Sequence, residues 1–487
     1  MQTYDLFIDG AWTPGTGSEE LEVINPATEE TIGRVPQAST KDVILAVEAA
    51  RRAFDEGPWG RSTPKERSRV LEKFHEKLTA RKSELVNLTI SEAGSTFLMA
   101  DMLQVQTPLD HLAWWAERAA TFPYIEPLPP MAGMGLGQGA VHKEPVGVVA
   151  AITPFNFPIF LNLWKLGPAL AMGNTVVLKP SPHTPLEAFI LADVIAELDL
   201  PPGVVNIVTG DIEAGEKLTT HPDVDLVSFT GSDVVGRKVM GQASDSLKKV
   251  LLELGGKSAN IVFSGSNLDK LVPSAAMGFT IHCGQGCALT TRLLVQRTIH
   301  DEFVERVKTF LGFVSVGDPS DASVMMGPLI RESQRERVES YVAKGKAEGA
   351  EVAFGGGRPA GLDKGFFVEP TLFTNVDNSM TIAQDEIFGP VGVVIPFDTE
   401  EDAIRIANDS RYVLGGGVWH PDPIRAYEVA KRLRTGMVVV NGGGGAMISQ
   451  YGTFGGYKHS GVGRELSDHG LQEYCEFKTV VWGAGNA

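Results

Sequence analysis

Five short apolar runs between residues 146 and 255 constrain this chain more than any other feature. VGVVAAI (146–152), NTVVLKP (174–180), VVNIVTG (204–210), DLVSFTG (225–231) and KVLLELG (249–255) have the length and aliphatic character of strands. Between them, Pro185 to Leu198 and Asp233 to Gln242 have helical length and apolar spacing. This is the βαβ rhythm of a parallel, doubly wound sheet, which takes ligands beyond the carboxyl ends of its strands. A second alternating set predicts a second α/β unit: LLVQRTI, a helix over 300–312, GVVIPF, a helix over 400–409, and GMVVVNG. The stretch 121–137, TFPYIEPLPPMAGMGLG, is rich in proline and glycine and reads as a linker or an excursion from the first unit. Glycine clusters at 355–357, 415–417 and 442–445 follow no period and read as turns or close-packing sites rather than repeats.

At 487 residues, with 43% hydrophobic, the chain is long enough for two or three domains with large cores. A formal charge of −17 argues against nucleic acid and anionic membranes as partners. The run from Val146 to Trp164 lacks Asp, Glu, Lys and Arg, but its Pro154, Asn156, Pro158 and Asn162 fit a strand, loop and helix better than a membrane span. The opening MQTYDLFIDGAWTPG has neither a basic nor an apolar leader segment, so no secretory signal is expected. Three cysteines, an odd number in so long a chain, point to a reducing compartment, and the cytoplasm is the expected location.

Two local features could meet phosphates. Gly231 to Gly236, GSDVVG, follows an apolar strand and opens a helix, where backbone N–H groups favour anions, although Asp233 counts against it. Lys179 ends a strand and could meet a ribose hydroxyl or a phosphate, or could be an ordinary surface lysine.

The segment IHCGQGCALTTR (281–292) holds Cys283 and Cys287 beside His282. A zinc site needs more ligands than are near, and a redox pair more often uses CxxC spacing. Buried structural thiols or a nucleophile remain. A nucleophile needs a base and donors for its oxyanion, and Gly284 and Gly286 would let a substrate approach Cys287 closely. Glu253, at the end of a strand among apolar neighbours, is a candidate general base with a raised pKa. Asn156, between two prolines, could donate to an oxyanion or cap the next helix. Phe157, Phe160 and Trp164, at i, i+3 and i+7, form an aromatic helical face that suits a core or a substrate tunnel.

Taken together, ITPFNFP, LKPS, FTGS, LELGGKS, GQGC, EIFGPV and FGGYKHSGVGRE resemble, in order and spacing, the NAD(P)-dependent aldehyde dehydrogenase superfamily of the hydrolytic, non-CoA-acylating type. The cysteine of GQGC lies 34 residues after the glutamate of LELGGK, and the resemblance runs from INPATEE to the chain end. It implies an α/β fold with a Rossmann-like cofactor domain (1–123 and 146–255), a second α/β catalytic domain (256–455) and a return segment (456–474). A small β oligomerisation element (124–145 and 475–487) would form a homodimer or homotetramer. Cys287 is implied as the nucleophile, Asn156 as the oxyanion donor, Glu253 as the base that activates the hydrolytic water, and Lys165 and Glu465 as a supporting proton relay. No metal is implied.

For the cofactor, NAD with NADP as a second possibility, the resemblance implies Thr153, Pro154, Phe155 and Asn156 beside the nicotinamide end. Lys179 and Glu386 match ribose positions, Ser232 a pyrophosphate contact and Phe388 an aromatic packed near the nicotinamide ribose. Ser181, Gly210, Phe229, Gly231, Val235, Leu254 and Gly255 complete the set. Pro182 and His183 stand where NAD-preferring members often place a carboxylate against the adenosine ribose, so use of both cofactors is expected. His282, Phe155 and Thr453 replace a frequent asparagine, tryptophan and proline. Phe157, Phe160, Trp164 and Ile281 match tunnel positions without an arginine among them, which favours an apolar aldehyde (aliphatic, terpenoid or aromatic) over a charged semialdehyde.

Overall fold

The computed structural model describes residues 2–132, 136–443 and 448–483. The first unit is an eight-stranded sheet built around five parallel strands: β1 (Val148–Ile152), β2 (Thr175–Lys179), β3 (Val205–Ile207), β4 (Leu226–Thr230) and β5 (Lys249–Glu253). Their spatial order is β5-β4-β1-β2-β3, with Gly461–Val462 added antiparallel to β5 and Leu6–Ile8 antiparallel to β3. All residues of β1, β2 and β4 are buried, because helices cover both faces. The uncharged run that resembles a membrane span is therefore β1, a turn and the start of helix α1 (Pro158–Ala171). Among the described residues, no helix is long and apolar enough to cross a membrane.

Helix α1 is buried at every position, including Asn162 and Lys165, against the sheet on one side and the helix Thr107–Thr121 on the other. Two helices on the outside begin with reciprocal capping boxes, Ser39 with Asp42 and Thr63 with Glu66, which satisfy their first free N–H groups. The predicted helices at 185–198 and 233–242 are α2 (Leu186–Ala196) and α3 (Asp233–Ala243).

The second unit is a seven-stranded sheet containing β6 (Ala259–Val262), β7 (Arg292–Gln296), β8 (Val391–Phe397) and β9 (Gly416–Trp419), again mutually parallel. Of the predicted strand GMVVVNG, only Val439–Val440 pairs. The predicted linker at 121–137 is partly strand: Ile125–Pro127 and Met131–Ala132 pair with Leu136–Pro145, and that strand pairs antiparallel with Cys475–Gly483 of the same chain. Proline and glycine interrupt the two short strands, and the long strand has its other partner more than 300 residues away. Residues 133–135 and 484–487 of the expected oligomerisation element, and 444–445 of the last glycine cluster, lie outside the described residues.

Candidate active site

In the first sheet, β2 and β3 run to one side of β1, and β4 and β5 to the other. The strand order therefore reverses between β1 and β4, and their carboxyl ends open a crevice there. Thr153 to Asn156 leave β1 at that crevice, Gly231 and Ser232 leave β4, and Glu253 to Gly255 end β5. The parallel topology alone brings these sequence-distant residues to one edge.

Ser232 caps α3: its Oγ accepts from Val235 N at 3.3 Å and its carbonyl from Gly236 N at 2.9 Å, so this helix begins at the carboxyl end of β4. Asp233 is turned aside: its carboxylate lies 3.0 Å from His459 Nδ1 and 3.9 Å from Arg237. Gly231 is required by contact, since a Cβ there would lie 2.4 Å from the Phe229 ring. Lys179 is buried, not a surface lysine; its ammonium donates to the Gly210 carbonyl at 2.8 Å and to the Pro180 carbonyl at 3.0 Å. Burial lowers its pKa to about 8. Ser181 Oγ accepts from His183 N, and the His183 ring meets Arg331 at 2.7 Å.

Glu386 reaches across from the second unit. Its Oε1 accepts from Gly256 N at 2.9 Å, and a Cβ at Gly255 would lie 2.3 Å from its other oxygen. Burial raises its pKa to about 7. Phe388 has a left-handed φ of 61°, with its ring centroid 5.8 Å from that of Phe155. Gln334, which the sequence reading missed, holds this segment by donating to the carbonyls of Ile387 (3.2 Å) and Phe388 (2.7 Å). Leu254 is buried, with its N–H donating to Ser460 O, and Thr230 Oγ1 is buried without a partner at the crevice.

Cys287 is half-buried and packs against the apolar cluster that contains Phe160, Trp164 and Phe454. Its carbonyl lies so close to Gly256 that a Cβ there would be 2.1 Å away. Burial, then the charges of Glu253 and Glu386, push its thiol pKa up, so thiolate formation is favoured when Glu253 carries a proton. Cys283 is fully buried and its thiol is also pushed up by burial. Asn156 is buried and donates from Nδ2 to the Gln285 carbonyl at 2.8 Å, leaving its second N–H free.

Glu253 is 2% exposed, and neither of its carboxylate oxygens has a hydrogen-bond partner. Gly455 (φ 133°) makes room for it, since a Cβ there would lie 2.3 Å from Glu253 Oε1. Burial, then the charge of Glu465, raise the Glu253 pKa well above the usual carboxylate range, against smaller opposing effects of Lys165 and Arg464. Lys165 and Glu465, 300 residues apart, form a buried ion pair. Removing one partner strands a buried charge: Lys165→Met is expected to cost about 3–5 kcal/mol of stability in urea unfolding, with part recovered in K165M/E465Q. A K165M variant as stable as wild type would show that the pair contributes little.

Of the four tunnel candidates, Phe157 and Ile281 are half-buried, whereas Phe160 and Trp164 are buried in the cluster, with Trp164 Nε1 donating to His111 Nδ1 at 3.0 Å. Phe157 meets Phe160 edge-on (5.9 Å between centroids) and His282 at a tilt (5.4 Å). His282 and Cys283 both have left-handed backbones, φ 51° and 52°, which cost roughly 1–2 kcal/mol each at residues carrying a Cβ. Gln285, also missed by the sequence reading, is fully buried and anchors this turn; its only sequence signal is its place in GQGC. No group of three or more possible metal ligands occurs among the described residues.

A thiol, an uncommitted buried carboxyl and a free amide N–H thus surround one edge of a crevice suited to phosphates and ribose. This geometry can support attack on a carbonyl, stabilisation of the oxyanion and activation of water. Known proteins resemble the chain over its whole length. A structure of a Mycobacterium tuberculosis aldehyde dehydrogenase complexed with NAD+ is 44% identical, with a TM-score of 0.96 and coverage of 100% of this chain and 99% of that one. A Pseudomonas syringae aldehyde dehydrogenase C variant, solved with NAD+ and octanal, is 38% identical with a TM-score of 0.93, over 98% of this chain and 96% of that one. A 3-succinoylsemialdehyde-pyridine dehydrogenase of a Pseudomonas species is 41% identical over 485 residues, 99% of each chain. Residues 12–480 match the aldehyde dehydrogenase family, and the chain belongs to it.

Proposed function

We propose that the protein oxidises an apolar aldehyde to its carboxylic acid, using NAD+ and also accepting NADP+. The observation that carries this reading is the placement of Cys287 against the aromatic cluster, with the uncommitted carboxyl of Glu253 nearby. The Cys287 sulfur, its thiol proton lost to water, forms a bond to the aldehyde carbon. The oxyanion receives hydrogen bonds from the free N–H of Asn156 and the Cys287 backbone N–H. The bound cofactor supplies the hydride acceptor as the thiohemiacetal becomes a thioester. Glu253, once it has lost its own proton to solvent through Lys165 and Glu465, takes a proton from water, which attacks the thioester and frees the sulfur.

The residues present fit such a cofactor. The α3 start and Ser232 would offer donors to a pyrophosphate, Glu386 would hold ribose hydroxyls, and the unpartnered Thr230 hydroxyl lies at the crevice. With proline at 182, no carboxylate there repels a 2′-phosphate, and the buried ammonium of Lys179 is near to pair with one.

The domain division at 123, 146, 256 and 456 belongs to the same reading, as does a cytoplasmic location. So does a homodimer or homotetramer formed through the outer sheet, whose Phe477, Val481 and Trp482 are exposed. The octanal complex of the related aldehyde dehydrogenase C supports an apolar substrate, while the relative named for 3-succinoylsemialdehyde-pyridine keeps a more polar aldehyde in view. Initial rates for hexanal, benzaldehyde and succinic semialdehyde, each with NAD+ and NADP+, separate these. The expected result is a kcat/KM advantage for hexanal and benzaldehyde, with both cofactors used. A large advantage for succinic semialdehyde sinks the apolar reading, and more than about a hundredfold preference for one cofactor, about 2.7 kcal/mol, excludes dual use.

A further inference from the structure

The loop that carries Cys287 enters it through a left-handed turn of three residues, His282 (φ 51°, ψ 39°), Cys283 (φ 52°, ψ 35°) and Gly284 (φ 70°). Gly284 has a steric reason to be there, because a Cβ would lie 2.1 Å from the Gly389 carbonyl carbon. His282 and Cys283 have no such excuse, so their surroundings must hold them in place. The His282 carbonyl accepts from Gln285 N at 3.1 Å and from Gln285 Nε2 at 3.2 Å. Gln285 Oε1 in turn accepts from Ile330 N at 3.0 Å. The far end of this short network is the Gln285 carbonyl, which receives Asn156 Nδ2.

The His282 ring is as unusual as its backbone. It is 5% exposed, lies tilted at 57° against the ring of Phe157, the residue after Asn156, and neither ring nitrogen has a well-formed hydrogen bond. Burial lowers its pKa to about 4, so it is an uncharged wedge at neutral pH. Both ring nitrogens are shielded from solvent, and the Asn156 backbone lies close enough to the ring to oppose part of that lowering. What it touches is the segment that carries the oxyanion amide.

We propose that His282 is a positioning residue for the oxyanion site: its ring, wedged against Phe157, and its carbonyl, which anchors Gln285, together fix the Gln285 carbonyl beneath Asn156 Nδ2. With one amide hydrogen held there, the other points at the oxyanion that forms on the Cys287 adduct. The inference rests on the role given to Asn156 above. A residue acting through Asn156 affects every aldehyde alike, whereas a tunnel-wall residue would change their ranking.

A double-mutant cycle tests it, with kcat measured for hexanal and benzaldehyde. Asn156→Ala is expected to lower kcat about 10²–10³-fold. His282→Ala is expected to lower it about tenfold for both aldehydes with little change in KM, and H282A/N156A to fall within about twofold of N156A alone. The proposal is overturned if H282A costs the same tenfold in the N156A background, or if it reorders the two aldehydes. An N156A enzyme as active as wild type would remove the oxyanion reading itself, and this inference with it. Should H282A fold poorly, His282→Asn replaces it in the same cycle with the same outcomes, because asparagine tolerates the left-handed turn.

Discussion

Cys287→Ala is expected to abolish aldehyde oxidation, lowering kcat by about 10⁴-fold or more, while Cys283→Ala keeps most of the activity. The two thiols differ in place rather than kind. Cys283 is fully buried inside the left-handed turn, in the core of the second unit, and faces no open space. Cys287 is half-buried, within the electrostatic reach of Glu253 and packed on the aromatic cluster. Removing its sulfur removes the only atom there that can form the covalent adduct, and the oxyanion donors then have nothing to stabilise. Cofactor binding by C287A, followed by fluorescence or calorimetry, should remain near the wild-type value. Equal loss in the two cysteine variants would return the segment to a functional cysteine pair.

The parts of this molecule that are legible in its sequence share a physical cause. A parallel sheet covered on both faces needs unbroken apolar strands, so Val148–Ile152 and Thr175–Lys179 stand out as continuous runs. Cys287, Glu253 and Asn156 are legible because each sits where the chain is punctuated by glycine or proline at the end of a regular element. Lys165 and Glu465 are not: one lies inside an apolar helix, the other 300 residues later, and only family resemblance pairs them. Gln285 and Gly455 were invisible for a different reason. Gln285 meets Asn156 through its backbone carbonyl and is held by side-chain bonds to His282 and Ile330 that only the folded chain brings together, and Gly455 acts by lacking a side chain beneath Glu253. The turn at His282 and Cys283 runs against local preference outright, as strained functional segments do. The outer sheet was obscured because its near strands are short and broken by proline, and its most extensive pairing is with the far end of the chain.

Glu253→Gln carries the second large expectation, and its signs can be worked out in advance. Glutamine keeps the shape of the side chain but cannot take a proton from water, so kcat should fall about 10²–10⁴-fold. The first turnover does not need the hydrolytic water, so a burst of reduced cofactor near one per site should survive, followed by slow release of acid. Cofactor affinity should stay the same. In the wild type the base must be ionised, so kcat rises with pH through the raised pKa of Glu253; the variant should lack that limb. Stability moves the opposite way. A carboxyl whose folded pKa lies above its unfolded value contributes most below the unfolded pKa, and that contribution is lost as pH rises through the folded pKa. At alkaline pH the wild type therefore holds a buried, unpartnered charge that E253Q does not. Thermal unfolding should find the variant the more stable protein there, with the difference shrinking toward acid. Loss of the burst in E253Q would assign Glu253 to the acylation step instead, and an unchanged pH limb would give the base to another group. Greater stability joined to slower turnover is the signature of a carboxyl held for chemistry rather than for the fold.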